Sequence, residues 1–216
     1  MLKWCMTAAT ILILAATANA GPPAPKVTLE QATEVLNELE TIKLKGIPPK
    51  LLEDAQAVAI IPRVIKGGFI IGGRVGHGVV LQRDDKGGWS QPLFVTIGGA
   101  SLGFQVGLQS ADVVLVFKKR DTLARLLEGK KKLTLGADIS VAAGPVGREA
   151  AVATDGKLEA EIYSYSRARG LFAGVSLQGG VLAGTKDINE MYAADMRPET
   201  AKAFVDLVAK LNAMAK

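Results

Sequence analysis

"GGFIIGGRVGHGVVLQRDDKGGWSQPLFVTIGGASLGFQVG", residues 67–107, sets valine, isoleucine, leucine and phenylalanine between closely spaced glycines. Over 69–81, alternate positions read Phe69, Ile71, Gly73, Val75, His77, Val79 and Leu81 on one face and Ile70, Gly72, Arg74, Gly76, Gly78 and Val80 on the other. A period of two marks a β-strand. Glycine weakens a flat strand but permits sharp coiling and the close approach of another backbone, so the stretch predicts a strongly curved sheet.

The same texture returns over 93–108, 133–146 and 162–182, with Asp-Asp-Lys-Gly-Gly at 84–88 and Thr-Asp-Gly-Lys at 154–157 as turns. Twenty-two of the 24 glycines fall between residues 67 and 184, and no fixed repeat length emerges that calls for a solenoid or propeller. Helical spacing brackets this region. Over 27–44 Leu29, Ala32, Leu36 and Leu39 recur at that spacing, Thr28 with Gln31 makes a capping box, and Glu30, Glu34, Glu38 and Glu40 make the opposite face acidic. A short helix over 49–56 leads to an apolar strand, 58–61, that Pro62 is expected to stop. Asp121 caps a central helix, TLARLLE, that ends at Gly129, and Pro198 opens a C-terminal helix with Ala201, Phe204, Val208 and Leu211 in a stripe. The expected fold is therefore α+β: a curved, glycine-rich antiparallel β-sheet or small barrel flanked by N-terminal, central and C-terminal helices.

With 216 residues, 49% hydrophobic, the chain has the length of one sizeable core. Lys3, an apolar run over 7–17 and the ending Ala18-Asn19-Ala20 make residues 1–20 read as a cleaved signal peptide. Residues 21–26 then form a flexible leader and 27–216 a single domain. The expected location is exported, in the periplasm or peripheral to an envelope. The single cysteine, Cys5, leaves with the signal, so no disulfide or thiolate chemistry is expected. Removal of Lys3 leaves 25 basic and 21 acidic residues, a mild surplus that does not argue for nucleic acid.

A phosphate-binding glycine loop needs its glycines at fixed offsets. Gly76 and Gly78 are followed by Leu81 where a third glycine is required, and no Gly-Lys-Ser/Thr occurs, which argues against nucleotide. His77 is the sole histidine and alternates with apolar residues; it reads as a hydrogen-bonded core histidine, with a catalytic base as the sharper alternative. Ser176 in GVSLQG lacks the second glycine of a nucleophile elbow, and Asp112, Asp138 and Asp187 are too scattered for a metal-ligand set. No catalytic residue, metal or cofactor is expected.

Two patterns remain. In LTLGADISVAAGPVGRE, Thr134, Gly136, Asp138, Ser140, Ala142 and Gly144 fall on one strand face, and with Arg74 and Arg148 they make a candidate polar cluster in the sheet. The alternative is close packing against that face, with Asp138 paired to Arg74 or Arg148. The second pattern is basic: Lys118, Lys119 and Arg120 and then Lys130, Lys131 and Lys132 bracket the central helix. Each basic residue beside an anionic bilayer contributes about 1 kcal/mol, so six on one surface give useful reversible attraction.

The run IPPKLLEDAQAVAIIPRVIKGGFIIGGRVGHGVVLQR, followed by GGWSQPLF, SLGFQVG, LGADISVAAGPVGR, YSYSRARGLFAGVSLQG and NEMYA, resembles the SYLF domain in its secreted bacterial form, over about residues 47–193. Trp89-Ser90 with Pro92, Ala143-Gly144-Pro145 with Gly147, and Tyr163-Ser164 with Ser166 and 170–174 carry the likeness. The resemblance implies a non-enzymatic lipid-binding module, eukaryotic members binding phosphoinositides and linking membranes to actin assembly. For an exported chain the implied partner is an anionic phospholipid or membrane surface, or else a protein of the envelope, met through the basic triplets or through an apolar groove in the sheet. The acidic N-terminal helix departs from the basic membrane-seeking helix of that pattern.

Overall fold

The computed structural model describes residues 21–41, 46–68, 71–102, 107–124, 132–144, 160–169, 177, 179–194 and 197–216. The expected signal peptide, the turn at 154–157, Lys130, Lys131 and Arg148 lie outside them. In chain order the elements are α1 (Pro25–Thr41), α2 (Pro49–Glu53), β1 (Ala57–Gly68), β2 (Ile71–Gln82), β3 (Leu93–Leu102), β4 (Gly107–Phe117), α3 (Arg120–Ala124), β5 (Lys132–Thr134), β6 (Val141–Ala143), β7 (Ile162–Arg169), β8 (Val181–Gly184), α4 (Lys186–Ala194) and α5 (Pro198–Met214).

The eight strands form one sheet in the order β5-β8-β3-β2-β1-β4-β7-β6. All neighbours are antiparallel except β6 and β7, which run parallel, so the sheet is mixed and not purely antiparallel as the sequence predicts. Its curvature follows from a length argument. The edges of a flat eight-stranded sheet lie about 34 Å apart. Yet Thr134 of β5, on one edge, is seven residue steps from Val141 of β6, on the other, and seven steps reach at most about 25 Å. The sheet must curl to bring its edges within that reach, and it does.

Both faces are buried. The inner face is filled by Ala59, Ile61, Val64, Val80, Ile97, Val113, Leu115, Leu133, Leu182 and their neighbours. The outer face, with Val58, Ile60, Val79, Leu81, Phe94, Val114 and Val116, packs under α1, α4 and α5. Apolar residues at consecutive positions of β1 and β4 are what a strand buried on two sides requires. Glycine supplies the shape: a Cβ at Gly76 would come within 2.8 Å of Val64 Cγ2, and one at Gly78 within 2.7 Å of Ile61 Cα.

Pro62 does not end β1. The strand runs on to Gly68, and its register with β4 shifts between Ile61 and Val64, the mark of one extra residue. Arg63 there has φ 49°, and its N–H donates to Asp112 Oδ1 at 2.9 Å. A bulge tolerates a proline because its residues are released from the ladder. The expected strand over 93–108 is likewise two strands, β3 ending at Leu102 and β4 beginning at Gly107. The turn at 84–88 holds: Asp84 Oδ1 accepts the N–H of Lys86 at 2.9 Å and of Gly88 at 2.7 Å, with Gly87 at φ 81°.

Helix α1 begins at Pro25, ahead of the expected cap, so Thr28 lies inside it and donates to Ala24 O at 3.3 Å. Its apolar stripe is as predicted, Leu29, Ala32, Leu36 and Leu39 all buried. Helix α5 buries Thr200, Ala203, Leu207, Leu211 and Met214; Phe204 and Val208 pack at the margin. The predicted stripe is rotated because α5 packs chiefly against α1 and also meets α2. α2 is shorter than predicted, and α3 is described only over Arg120–Ala124.

Candidate functional site

Strand register gathers one set of strand ends. Ala57 pairs with Gln82 and Phe117, Val80 with Leu93, Val95 with Gly184, Lys132 with Ala183, and Ile162 with Phe117 and Val141. The end of β4 and the start of β5 therefore share one end of the sheet, although β4 and β5 are far apart in strand order. That places Lys118, Lys119 and Arg120 at the same end as Lys132. Lys119, Arg120 and Lys132 are exposed and Lys118 half-buried.

This end is anchored by charge. Lys119 Nζ lies 3.5 Å from Glu161 Oε1, Arg120 pairs with Asp85, and Arg120 Nη2 donates to Arg83 O at 3.2 Å. Such exposed pairs contribute about 0–1 kcal/mol each, so a dense anionic surface competes with them readily. Beside them lies a cleft of about 530 Å³ lined by Glu53, Gln56, Arg83, Asp84, Asp85 and Arg120. The Arg83 guanidinium stacks 3.9 Å from the Trp89 ring centroid and donates to Gly87 O at 2.8 Å and Leu52 O at 3.3 Å. Burial lowers its pKa. Trp89 in turn donates Nε1–H to Asn212 Oδ1 at 3.0 Å, tying the turn to α5.

The polar strand face predicted over 134–144 is not one face. The chain turns at 136–138, with Gly136 at φ 87°, and β5 and β6 border opposite edges of the sheet. Asp138 Oδ2 accepts the Thr134 N–H at 2.8 Å, closing that turn, and Ser140 Oγ accepts the Glu161 N–H at 3.0 Å. Arg74 stands on the inner face of β2, 6% exposed, and desolvation lowers its pKa.

His77 Nδ1 is 3.0 Å from Thr96 Oγ1, which is 2.8 Å from Thr185 Oγ1. Burial holds its pKa below the usual value. This is the hydrogen-bonded histidine of the plainer reading; the ring meets a hydroxyl pair and no carboxylate in these contacts. Among the described residues no three His, Cys, Asp or Glu side chains converge to hold a metal, and no helix is long and apolar enough to cross a membrane.

Sequence reasoning missed a network on the outer face. Asp112, 2% exposed, stands cross-strand from Arg167, and Arg167 pairs with Glu38 of α1. An aspartate inside the apolar run 111–117 was its one legible signal. Also missed was a groove of about 410 Å³ between α1 and α5, lined by Lys26, Glu30, Glu34, Glu199, Lys202 and Asp206.

A family model described as Las17-binding protein actin regulator, Ysc84, matches residues 98–201. SH3 domain-containing YSC84-like protein 1 of Xenopus laevis is 35% identical over 179 residues, 81% of this chain and 53% of that protein. LAS seventeen-binding protein 3 of Saccharomyces cerevisiae is 37% identical over 151 residues, 69% of this chain and 32% of that protein. An SH3 domain-containing protein of Schizosaccharomyces pombe is 40% identical over 156 residues, 69% of this chain and 35% of its own length. The chain thus spans about half or less of the length of these relatives. No solved structure matches.

Proposed function

The chain belongs to the SYLF, or Ysc84, family, and from that premise we propose that it is a non-catalytic module that attaches reversibly to anionic phospholipid surfaces. The observation that carries this reading is the gathering of Lys118, Lys119, Arg120 and Lys132 at one end of the sheet by strand register. Charges separated by twelve or more positions in the chain thereby act on one surface, and each contributes attraction that decays within a Debye length. Export of the chain, if residues 1–20 act as a signal, presents this surface to envelope lipid.

Attachment by the surface is favoured over capture of an acyl chain inside the sheet. The inner face is occupied by its own side chains, with Ile61, Ile97, Val113, Leu115, Leu133 and Leu182 at most 1% exposed. A ligand pocket for a fatty chain needs several hundred Å³ of empty apolar space. Among the described residues, such space is not left where these side chains meet.

Co-sedimentation with neutral and anionic liposomes over a salt series tests the proposal. Binding is expected only with anionic lipid, falling as salt rises and vanishing when Lys118, Lys119, Arg120, Lys130, Lys131 and Lys132 are all changed to serine. Binding that ignores both salt and the substitutions overturns the surface mode.

A protein partner is the second reading. It is favoured by the relatives whose printed names describe binding to Las17. Failure on every liposome, together with retention of one defined partner by the immobilised domain, selects it.

A further inference from the structure

The basic end of the sheet is occupied by oxygens of its own fold. Arg120 belongs to the junction of β4 and α3, and its guanidinium crosses to the hairpin turn between β2 and β3. There Nη1 pairs with Asp85 and Nη2 donates to Arg83 O at 3.2 Å. Both arms of a planar fork are thus taken by one hairpin, 35 and 37 positions away in the chain. Lys119 is held likewise, by Glu161 just ahead of β7. Of Lys118, Lys119, Arg120 and Lys132, only Lys118 and Lys132 carry no ion pair among the described residues.

The turn holds its shape through bonds that do not involve Arg120. Asp84 Oδ1 accepts the N–H groups of Lys86 and Gly88, Arg83 donates to Gly87 O and stacks on Trp89, and Trp89 is tied to Asn212 of α5. Asp85 stands at the tip with its side chain 89% exposed. A carboxylate so open adds nothing to the core, and an exposed ion pair adds little to stability. What the pair changes is the charge offered to a partner, because the carboxylate and the carbonyl sit where the oxygens of an anion would meet the fork. Asp121, next to Arg120 in the chain, is exposed and meets no cation among the described residues. Position in the fold, and not nearness in sequence, selects the acid that covers Arg120.

We propose that the turn at 84–88 is an autoinhibitory cap on the basic end. The proposal rests on the surface attachment proposed above and concerns its regulation. An anionic surface engages Arg120 only by displacing Asp85, and that exchange lowers affinity by up to about fivefold, the range of an exposed pair. Salt screens the cap as well as the attraction, so the capped protein loses affinity with salt less steeply than one whose cap is removed.

The test pairs two substitutions that remove the same charge at the same end, Asp85→Asn in the cap and Asp121→Asn beside it. Sedimentation with vesicles of phosphatidylglycerol in phosphatidylcholine measures attachment. The rate at which phenylglyoxal modifies Arg120, followed by mass spectrometry of its peptide, measures the cap without lipid. Asp85→Asn is expected to speed modification and to tighten vesicle binding, each by about two- to fivefold. Asp121→Asn is expected to leave modification at the parental rate and to tighten binding less. In an Arg120→Gln background, Asp85→Asn should gain no more than Asp121→Asn does. Equal gains from the two substitutions overturn the cap, since net charge then accounts for them, and so does a modification rate that Asp85→Asn leaves unchanged. Faster modification with no vesicle binding by any of the proteins overturns the attachment reading instead, and the regulatory role of the cap with it.

Discussion

Asn189 of α4 stands where a strand residue would, beside Phe94 of β3. Its Oδ1 accepts the Phe94 N–H at 2.8 Å and its Nδ2 donates to Phe94 O at 2.9 Å and to Thr185 O at 2.7 Å. The ladder between β3 and β8 begins at Val95, opposite Gly184, and Phe94 O also accepts the backbone N–H of Thr185 at 2.9 Å, so what the side-chain amide adds is an acceptor for the Phe94 N–H and a second donor to Phe94 O. Asn189→Ala strands the Phe94 N–H and is expected to destabilise by about 1–3 kcal/mol. Urea denaturation measures the loss. Hydrogen exchange at the Phe94 amide localises it, because that proton should lose protection well before those of β1.

The β1 bulge makes two opposite predictions at neighbouring positions. Asp112 is buried and accepts the Arg63 N–H, so Asp112→Ala strands a donor and is expected to cost about 2–3 kcal/mol, while Asp112→Asn keeps an acceptor oxygen and costs less. Arg63 holds φ 49° with an exposed side chain. Left-handed backbone costs a non-glycine residue about 1–2 kcal/mol, so Arg63→Gly is expected to be neutral or to stabilise by about 0.5–1 kcal/mol. Loss of stability in Arg63→Gly would contradict this account of the bulge.

The sheet was legible in the sequence because its signals are local. Alternation over 71–82, the turn at 84–88 and the glycine content of 67–107 each report on the residues that form them. The apolar stripe of α1 was legible for the same reason. What escaped depends on distant partners. Pro62 reads as a strand end until β4 supplies Asp112 to hold a bulge, and 133–146 reads as one strand until β7 and β8 claim its two halves for opposite edges. α4 is short and was not expected, because what anchors it, the Asn189 contact and the burial of Ile188 and Tyr192, depends on partners distant in the chain. The basic triplets were visible as composition, but only register shows that parts of both occupy one end of the sheet.

His77 gives a pH dependence with a definite sign. Burial favours its neutral form, lowering the folded-state pKa below the ordinary imidazole value of about 6.5. Between the two values the unfolded chain binds the proton more readily, so stability is full above about pH 6.5 and is lost as pH falls through the folded-state pKa. The slope from one such group is at most about 1.4 kcal/mol per pH unit. Denaturation midpoints at pH 7.5 and pH 5 should differ more in the parent than in His77→Gln, which can keep a hydrogen bond to Thr96. Equal differences would assign the acid sensitivity to other groups.

The glycines separate into those that shape the sheet and those that merely occupy it. At Gly78 a Cβ would meet backbone, Ile60 O and, at 2.7 Å, Ile61 Cα, where the bulged strand crosses. Backbone cannot swing aside as a side-chain end can, so Gly78→Ala is expected to cost about 3 kcal/mol. At Gly76 the obstacles are methyl groups of Val64, Ile61 and Ile97 at 2.8–3.2 Å, and a smaller cost of about 1–2 kcal/mol is expected as they shift. Gly73 is exposed, with nothing within 4 Å of its Cβ position. There alanine only restricts the unfolded chain, and Gly73→Ala is expected to stabilise by about 0.5 kcal/mol. Thermal melts of the three variants should rank Gly73→Ala above the parent, then Gly76→Ala, then Gly78→Ala. If Gly78→Ala melted with the parent, glycine in this strand would not be explained by backbone approach, and a role in ligand contact would return to consideration.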